Sequence, residues 1–292
     1  MSLAITQAST KAPGRLARRR LGNGVFMVFC VAVTAIALIA LIAILWTLTV
    51  KGLEGMNLDV FTMTTPAAGS RGGLANNIEG SLVMCLLAMV MAGAVGILAG
   101  TWLAEYGKAS RYAAVVRFIN DVLLSAPSIL IGVFVAQMLV VRVFHHFSGV
   151  AGAVALAMLA VPIITRTTED VLSLQAKTLR EAGVALGAPL SLVIQEVLWR
   201  SARGGLLTGA LLAFARISGE TAALLFTALN NQFFSLDLTQ PTANLPKQIY
   251  DFSLSAYDDL RRLAWAGALL IVVTVLGVTI LARAIAKESK SR

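Results

Sequence analysis

Two ionisable residues interrupt an apolar run in the last third of the chain: Arg216 and Glu220, four residues apart between Gly204 and Leu229. If that run is a membrane helix entered at Gly204, Arg216 lies about 18 Å into the bilayer at ~1.5 Å per residue, too deep to reach water easily. A charge facing lipid at that depth costs from about 2.5 to more than 10 kcal/mol, so such residues face a protein interior or a hydrated path. Glu220, one helical turn on, is placed to pair with Arg216, and Gly209 and Ala213 extend the same stripe into a narrow polar face. The chemistry this permits is ion recognition. A guanidinium offers planar, permanently charged donors suited to the oxygens of an anion. A neighbouring carboxylate would keep that attraction moderate enough for release. The pair also reads as a plain internal salt bridge, within one helix or across to a partner subunit.

A second constellation lies upstream, where Glu181, Ala182, Gly183 and Gly187 form Glu-Ala-Gly-x-x-x-Gly in a polar, basic stretch. A carboxylate there can pair with a cation or cap a helix, and small residues permit close backbone approach. Gly187 can adopt a φ that other residues resist. Taken bare, the pattern also describes a surface helix with a glycine C-cap. Bond-making chemistry finds no support elsewhere. Gly100 to Ala109 has the wrong glycine spacing for a phosphate-binding loop, and Ala109 stands where Ser or Thr should follow the lysine. His145 and His146 have no carboxylate or cysteine beside them and read as interfacial residues, not as a metal site or pH sensor. Cys30 and Cys85 fall in apolar runs and read as packing residues. No catalytic or metal-binding set is expected.

The elements that would position these residues are membrane helices. Of 292 residues, 58% are hydrophobic and 13% charged, about half the charged share of a soluble domain. Six apolar stretches are long enough, or nearly so, to cross a bilayer: Val25 to Val50, Ser81 to Ala104, Phe118 to Val141, Gly149 to Ile164, Gly204 to Leu229 and Leu263 to Ile285. With the N-terminus inside, seventeen Lys and Arg fall in inner segments and six in outer ones, the asymmetry that places both termini in the cytoplasm. This distribution accounts for the net charge of +9 without nucleic acid, which would call for cations gathered on one face with interleaved aromatics.

The organisation that follows is a cytoplasmic tail over 1–22, a first transmembrane helix over 23–50, a transmembrane domain over 78–286 and a cytoplasmic tail over 287–292. Pro127 predicts a kink in the third span. Arg117 and Asp121, four apart near its inner end, predict an ion pair. The inner segment 166–203 is too apolar for a linker and predicts two short helices. One follows a stripe through Val171, Leu174, Thr178 and Leu179, the other through Leu192, Val193, Val197 and Leu198, with an elbow at Gly187 to Pro189.

The Glu181, Ala182, Gly183 and Gly187 pattern, in a long inner segment followed by two spans, resembles the coupling (EAA) loop of permease subunits in type I binding-protein-dependent ABC importers. The segment Ala215 to Leu229 resembles the fifth-span signature of a phosphate-importer permease. The resemblance covers roughly residues 25 to 288. It implies an all-α integral membrane protein with about six transmembrane helices, the MetI-like permease fold and a cytoplasmic coupling loop. The expected location is the bacterial inner membrane. It implies coupling to an ATPase through Glu181, Ala182, Gly183 and Gly187; with phosphate as the solute, the depth and chemistry of Arg216 and Glu220 make them the candidate phosphate pathway. The implied partners are a second, PstC-like permease, two copies of a PstB-like ATPase that would hold the ATP and Mg, a PstS-like periplasmic phosphate-binding protein, and inorganic phosphate. No cofactor is expected on this chain. A permease for molybdate, sulfate or an amino acid is the alternative. A secondary carrier would call for two similar halves with matched broken helices, which the sequence lacks.

Overall fold

The computed structural model describes residues 13–107 and 110–291, so residues 1–12 of the expected N-terminal tail, and Lys108, lie outside the described residues. The chain divides into two units, residues 1–50 and 51–292. Helix α1 (Pro13–Gly55) runs across that boundary, beginning inside the expected tail rather than at residue 23. The second unit continues with α2 (Asp59–Thr62), α3 (Ala75–Glu105), α4 (Arg111–Ser125) and α5 (Ser128–Val135), which widens into a π-helical stretch, Ala136–Phe144. Next come α6 (Gly149–Ser173), α7 (Lys177–Ala185), α8 (Leu190–Val193), a wide turn over Ile194–Leu198, α9 (Trp199–Ile217) and α10 (Ala222–Thr227). The chain closes with α11 (Leu245–Ser253) and α12 (Asp258–Ser291), a helix that runs on past residue 286. The described residues contain no strand.

Four helical segments are long and apolar enough to cross a membrane, Arg18–Gly55, Ala75–Glu105, Gly149–Ser173 and Asp258–Ile285, and α4 with the helix that follows it forms a fifth, broken segment. The expected third span is therefore more than kinked: its two parts meet at 104°. Ala126 and Pro127 both have extended backbone, with ψ of 135° and 131°. A proline ring drives the residue before it out of the helical region, so two residues leave the helix together and the chain turns sharply. The expected fifth span is likewise two helices, α9 and α10, separated by Ser218 to Thr221. Six apolar segments remain, two of them broken.

Helix α6 is the most enclosed of these segments. On α3, Gly96 and Gly100 approach it so closely that an added Cβ would lie 2.8 Å from Ile164 and 2.5 Å from the Thr165 carbonyl oxygen. On α9, Gly205 and Gly209 do the same, with Cβ positions 2.6 Å from Val171 and 2.3 Å from the Thr167 hydroxyl. Each is a Gly-x-x-x-Gly pair, and Ala88, Ala92, Ala151, Ala155 and Ala160 continue the small-residue packing into the core. In lipid the tails are as apolar as the side chains, so helices associate through close van der Waals packing, which small residues permit.

The expected Arg117–Asp121 pair does not form. Arg117 reaches across to α6, its Nε donating to Glu169 Oε1 at 2.7 Å while Nη2 donates to the Leu103 carbonyl at 3.3 Å. A tertiary partner whose side chain is only 12% exposed outcompetes a neighbour on the same helix, because a shielded ion pair keeps more of its Coulomb energy than a solvated one.

Gly100→Ala should lower stability by about 1–3 kcal/mol, the usual cost of overpacking, whereas Gly93→Ala, whose Cβ would meet nothing within 4 Å, should be neutral. Thermal unfolding of the purified protein in detergent checks the contrast, and equal effects would contradict the close approach of α3 and α6.

Candidate functional site

The first candidate site is built on α7. Helix α6 continues through the position expected to begin the connecting segment, so Val171 lies on α6 and Leu174 caps its C-terminus. The new helix starts at Lys177. It ends at the expected elbow, and there the backbone shows why Gly187 is needed. Gly187 has φ of +81°. The Ala188 N–H donates to the Gly183 carbonyl and the Gly187 N–H to the Val184 carbonyl, the paired bonds of a Schellman motif, in which the residue after the cap sits left-handed. Pro189 then opens α8.

The close approach expected at Gly183 is made within the loop itself. A Cβ there would lie 2.7 and 2.9 Å from the two γ-methyls of Val193, so its small size lets α7 pack on α8 and is spent inside the loop. Glu181 and Ala182 are exposed. Among the described residues Glu181 has no ion-pair partner and caps no helix. The outer surface of α7 is open and mixed: Ala182, Val184 and Ala185 are exposed beside Lys177, Thr178 and Glu181, and Leu186 at its end is 88% exposed.

The underside of α7 is the opposite. Arg180 donates through Nε and Nη2 to the two oxygens of Glu105, at 2.7 and 2.5 Å. It also donates to the carbonyls of Gln175 at 3.0 Å and Leu172 at 2.8 Å. Hydrogen bonding to the Glu105 carboxylate raises the Arg180 pKa above its already high ordinary value, so the group stays charged. Neither Arg180 nor Glu105 stood out in the sequence. The available signal was a glutamate at the end of an apolar helix and an arginine next to the Glu-Ala-Gly pattern, but their pairing spans 75 positions.

The second candidate site is Arg216 with Glu220. The expected pair is present, with Arg216 Nη1 donating to Glu220 Oε2 at 3.0 Å. Its setting differs from the expected continuous helix, because Glu220 lies in the break between α9 and α10. There its other oxygen faces the Ala223 N–H at 3.5 Å, near the start of α10. A carboxylate so placed favours the positive end of that short helix. Burial is lopsided: the Glu220 side chain is 6% exposed and the Arg216 side chain 53%. The bond to Glu220 is the only side-chain hydrogen bond Arg216 makes among the described residues, so its remaining donors have no partner there while half of the side chain is exposed. Gly209 and Ala213 do not extend this polar face. Both are buried, and Gly209 abuts Thr167 of α6.

The helix that follows the break packs against the other broken segment. A Cβ on Gly132 of α5 would stand 2.6 Å from the Cα of Ala223 in α10. Beyond α10, a buried carboxamide cluster holds the chain in place, a second feature the sequence analysis missed. Asn77 Nδ2 donates to Asn230 Oδ1 at 3.2 Å and Asn244 Nδ2 to the Leu229 carbonyl at 2.8 Å. Asn230 also bonds Gln248, and Asn76 donates to the Asn231 carbonyl at 3.0 Å. Leu229 itself has φ of +56°, a strained value for a leucine. The histidines stand apart from both sites: His145 adopts a left-handed turn, and His146 Nδ1 lies 3.0 Å from the Phe147 carbonyl. Cys85 is buried in the core, as a packing residue would be, while Cys30 lies exposed on α1.

Gly183→Ala should loosen α7 from α8 and speed proteolysis at 186–189, and the double change with Val193→Ala should lie closer to wild type than Gly183→Ala does. Additive effects would mean that Gly183 and Val193 do not interact.

Residues 96–290 match the family of binding-protein-dependent transport system inner membrane components. The chain is 50% identical over 282 residues to the phosphate transport system permease protein PstA of Xylella fastidiosa, covering 97% of this chain and 98% of that protein. It is also 50% identical over 275 residues to the phosphate transport system permease protein PstA of Yersinia pestis, with 94% and 93% covered. Among solved structures, a chain of the inward-facing MetNI methionine ABC transporter superposes with a TM-score of 0.62 at 20% identity, covering 74% of this chain and 95% of that one, a likeness of fold alone. The family match and these relatives agree: the chain belongs to the family of binding-protein-dependent transport system inner membrane components, among the phosphate transport system permeases.

Proposed function

We propose that this chain forms half of the membrane pathway of an ATP-driven importer that carries inorganic phosphate inward, with α7 docking on an ATPase subunit and Arg216 lining the path. The family supports the complex of permease, ATPase and binding protein. The 50% identity to named phosphate permeases supports the solute. The observation that carries the mechanism is the lopsided burial of Arg216 and Glu220. A buried carboxylate holds one guanidinium nitrogen while the half-exposed guanidinium keeps other donors free, which supports a group that meets a phosphate oxygen without binding it irreversibly.

In this reading the other wall of the path is a second, PstC-like permease. ATP and Mg are held by two PstB-like ATPase subunits beneath α7, and a PstS-like protein delivers phosphate from the periplasm. The exposed Val184 and Leu186 on an otherwise open α7 support docking, since large apolar side chains held in solvent beside polar ones are the make-up of a protein-contact surface. The distribution of basic residues supports cytoplasmic termini, with α7 on the cytoplasmic side.

Arg216→Gln should leave the complex assembled in the membrane and reduce radiolabelled phosphate uptake by about tenfold or more, equivalent to ~1.4 kcal/mol. Arg216→Lys, which keeps charge without the planar fork, should fall between. Parallel loss of uptake and of assembled complex would instead assign Arg216 to a salt bridge that holds the subunits together.

A further inference from the structure

The guanidinium of Arg180 is shared among three helices. It belongs to α7, takes both oxygens of the last residue of α3, and takes the Leu172 carbonyl in the last turn of α6 together with the Gln175 carbonyl in the turn that follows. Glu105 is 2% exposed and Arg180 13% exposed at the side chain, so the pair is shielded although it lies at the edge of the bundle. The last carbonyls of a helix have no partner within it, and a cation there satisfies them and complements the helix dipole. Arginine suits this position because one planar group serves a carboxylate side-on while spare donors reach elsewhere, which a lysine cannot do.

The rest of α7 is held differently. Its contacts run to its own loop, Gly183 on Val193, and its outer face is open. The Arg180 group therefore ties α7 to the two helices packed most closely at Gly96 and Gly100. Further ties at the same end, Arg117 to Glu169 and Trp199 Nε1 to Thr101 Oγ1 at 3.1 Å, join α4 and α9 to α6 and α3 but leave out α7.

From this geometry we propose that the Arg180–Glu105 pair is a positioning link that converts displacement of α7 into joint displacement of α3 and α6, so that ATP hydrolysis is spent on moving solute. The inference rests on the reading of α7 as the ATPase-docking helix. A packed, hydrogen-bonded lever transmits motion as a rigid body; with the link cut, α7 follows the motor while the bundle lags. The distinguishing quantity is the number of phosphate ions moved per ATP hydrolysed.

The test uses the complete importer in liposomes, with wild type, Arg180→Lys, Arg180→Gln, Glu105→Gln and the exchange Arg180→Glu with Glu105→Arg. A photo-crosslinker at position 184 on the open face of α7 reports docking. The expected result is wild-type crosslinking to the ATPase and continued hydrolysis in all single variants. Phosphate moved per ATP should fall about tenfold, within the usual range of coupling between sites, and the exchange should recover part of it. An unchanged ratio in assembled Arg180→Gln and Glu105→Gln complexes would overturn the link while leaving docking intact. Proportional loss of hydrolysis and uptake, or failure of all three single variants to assemble, would assign the pair to docking or folding and also overturn it. Absence of crosslinking in the wild type would remove the docking reading and the link with it.

Discussion

Everything in the second unit hangs on the enclosure of α6 between two glycine pairs, Gly96 with Gly100 on α3 and Gly205 with Gly209 on α9. Membrane helices lack the hydrophobic drive that packs soluble ones, and close backbone approach through small residues supplies the attraction instead. Once α6 is held on two sides, other parts of the bundle find their partners on it. Asn120 donates to the Pro162 carbonyl, Arg117 pairs with Glu169, and Arg180 reaches the Leu172 carbonyl at its far end. Because α7 follows α6 after a short turn, the exposed helix is carried at the end of the most enclosed one.

The two broken segments depend on the same enclosure. Irregular backbone at membrane depth is tolerated where protein covers it or where it lines a water-filled cavity. Here the breaks at Ala126 and Pro127 and at Ser218 to Thr221 allow α5 and α10 to meet closely through Gly132 and Ala223. Glu220 sits within one of these breaks, so its burial and its hold on Arg216 follow from the interruption of the helix. A continuous helix would have put both charges on one face with similar exposure. The break separates a buried carboxylate from a half-exposed guanidinium.

Features set by local spacing were legible in the sequence, and features set by distant partners were not. The apolar segments, the elbow at Gly187 to Pro189 and the Arg216–Glu220 pair all follow from residues within a few positions of each other. The partner of Arg117 is 52 positions away and that of Arg180 is 75 away, so the rule for neighbours on one helix misled in the first case and was silent in the second. The carboxamide cluster joins Asn76 and Asn77 to residues past 228, and polar residues in loops carry no periodic signal. Pro127 by itself predicts a kink, and its restriction of Ala126 as well turns that kink into a break. The two Gly-x-x-x-Gly pairs were open to reading, and they would have identified which helices touch, though not that both touch α6.

The central claim, that this chain provides half of an ATP-driven phosphate path, is tested most directly by reconstituting it with its second permease, ATPase and binding protein in liposomes. Inward flux of phosphate, molybdate and sulfate is then measured with and without ATP. The account predicts phosphate flux that requires both ATP and the binding protein, with little flux of the other two anions. Flux of molybdate or sulfate without phosphate, or phosphate flux indifferent to ATP, would contradict it.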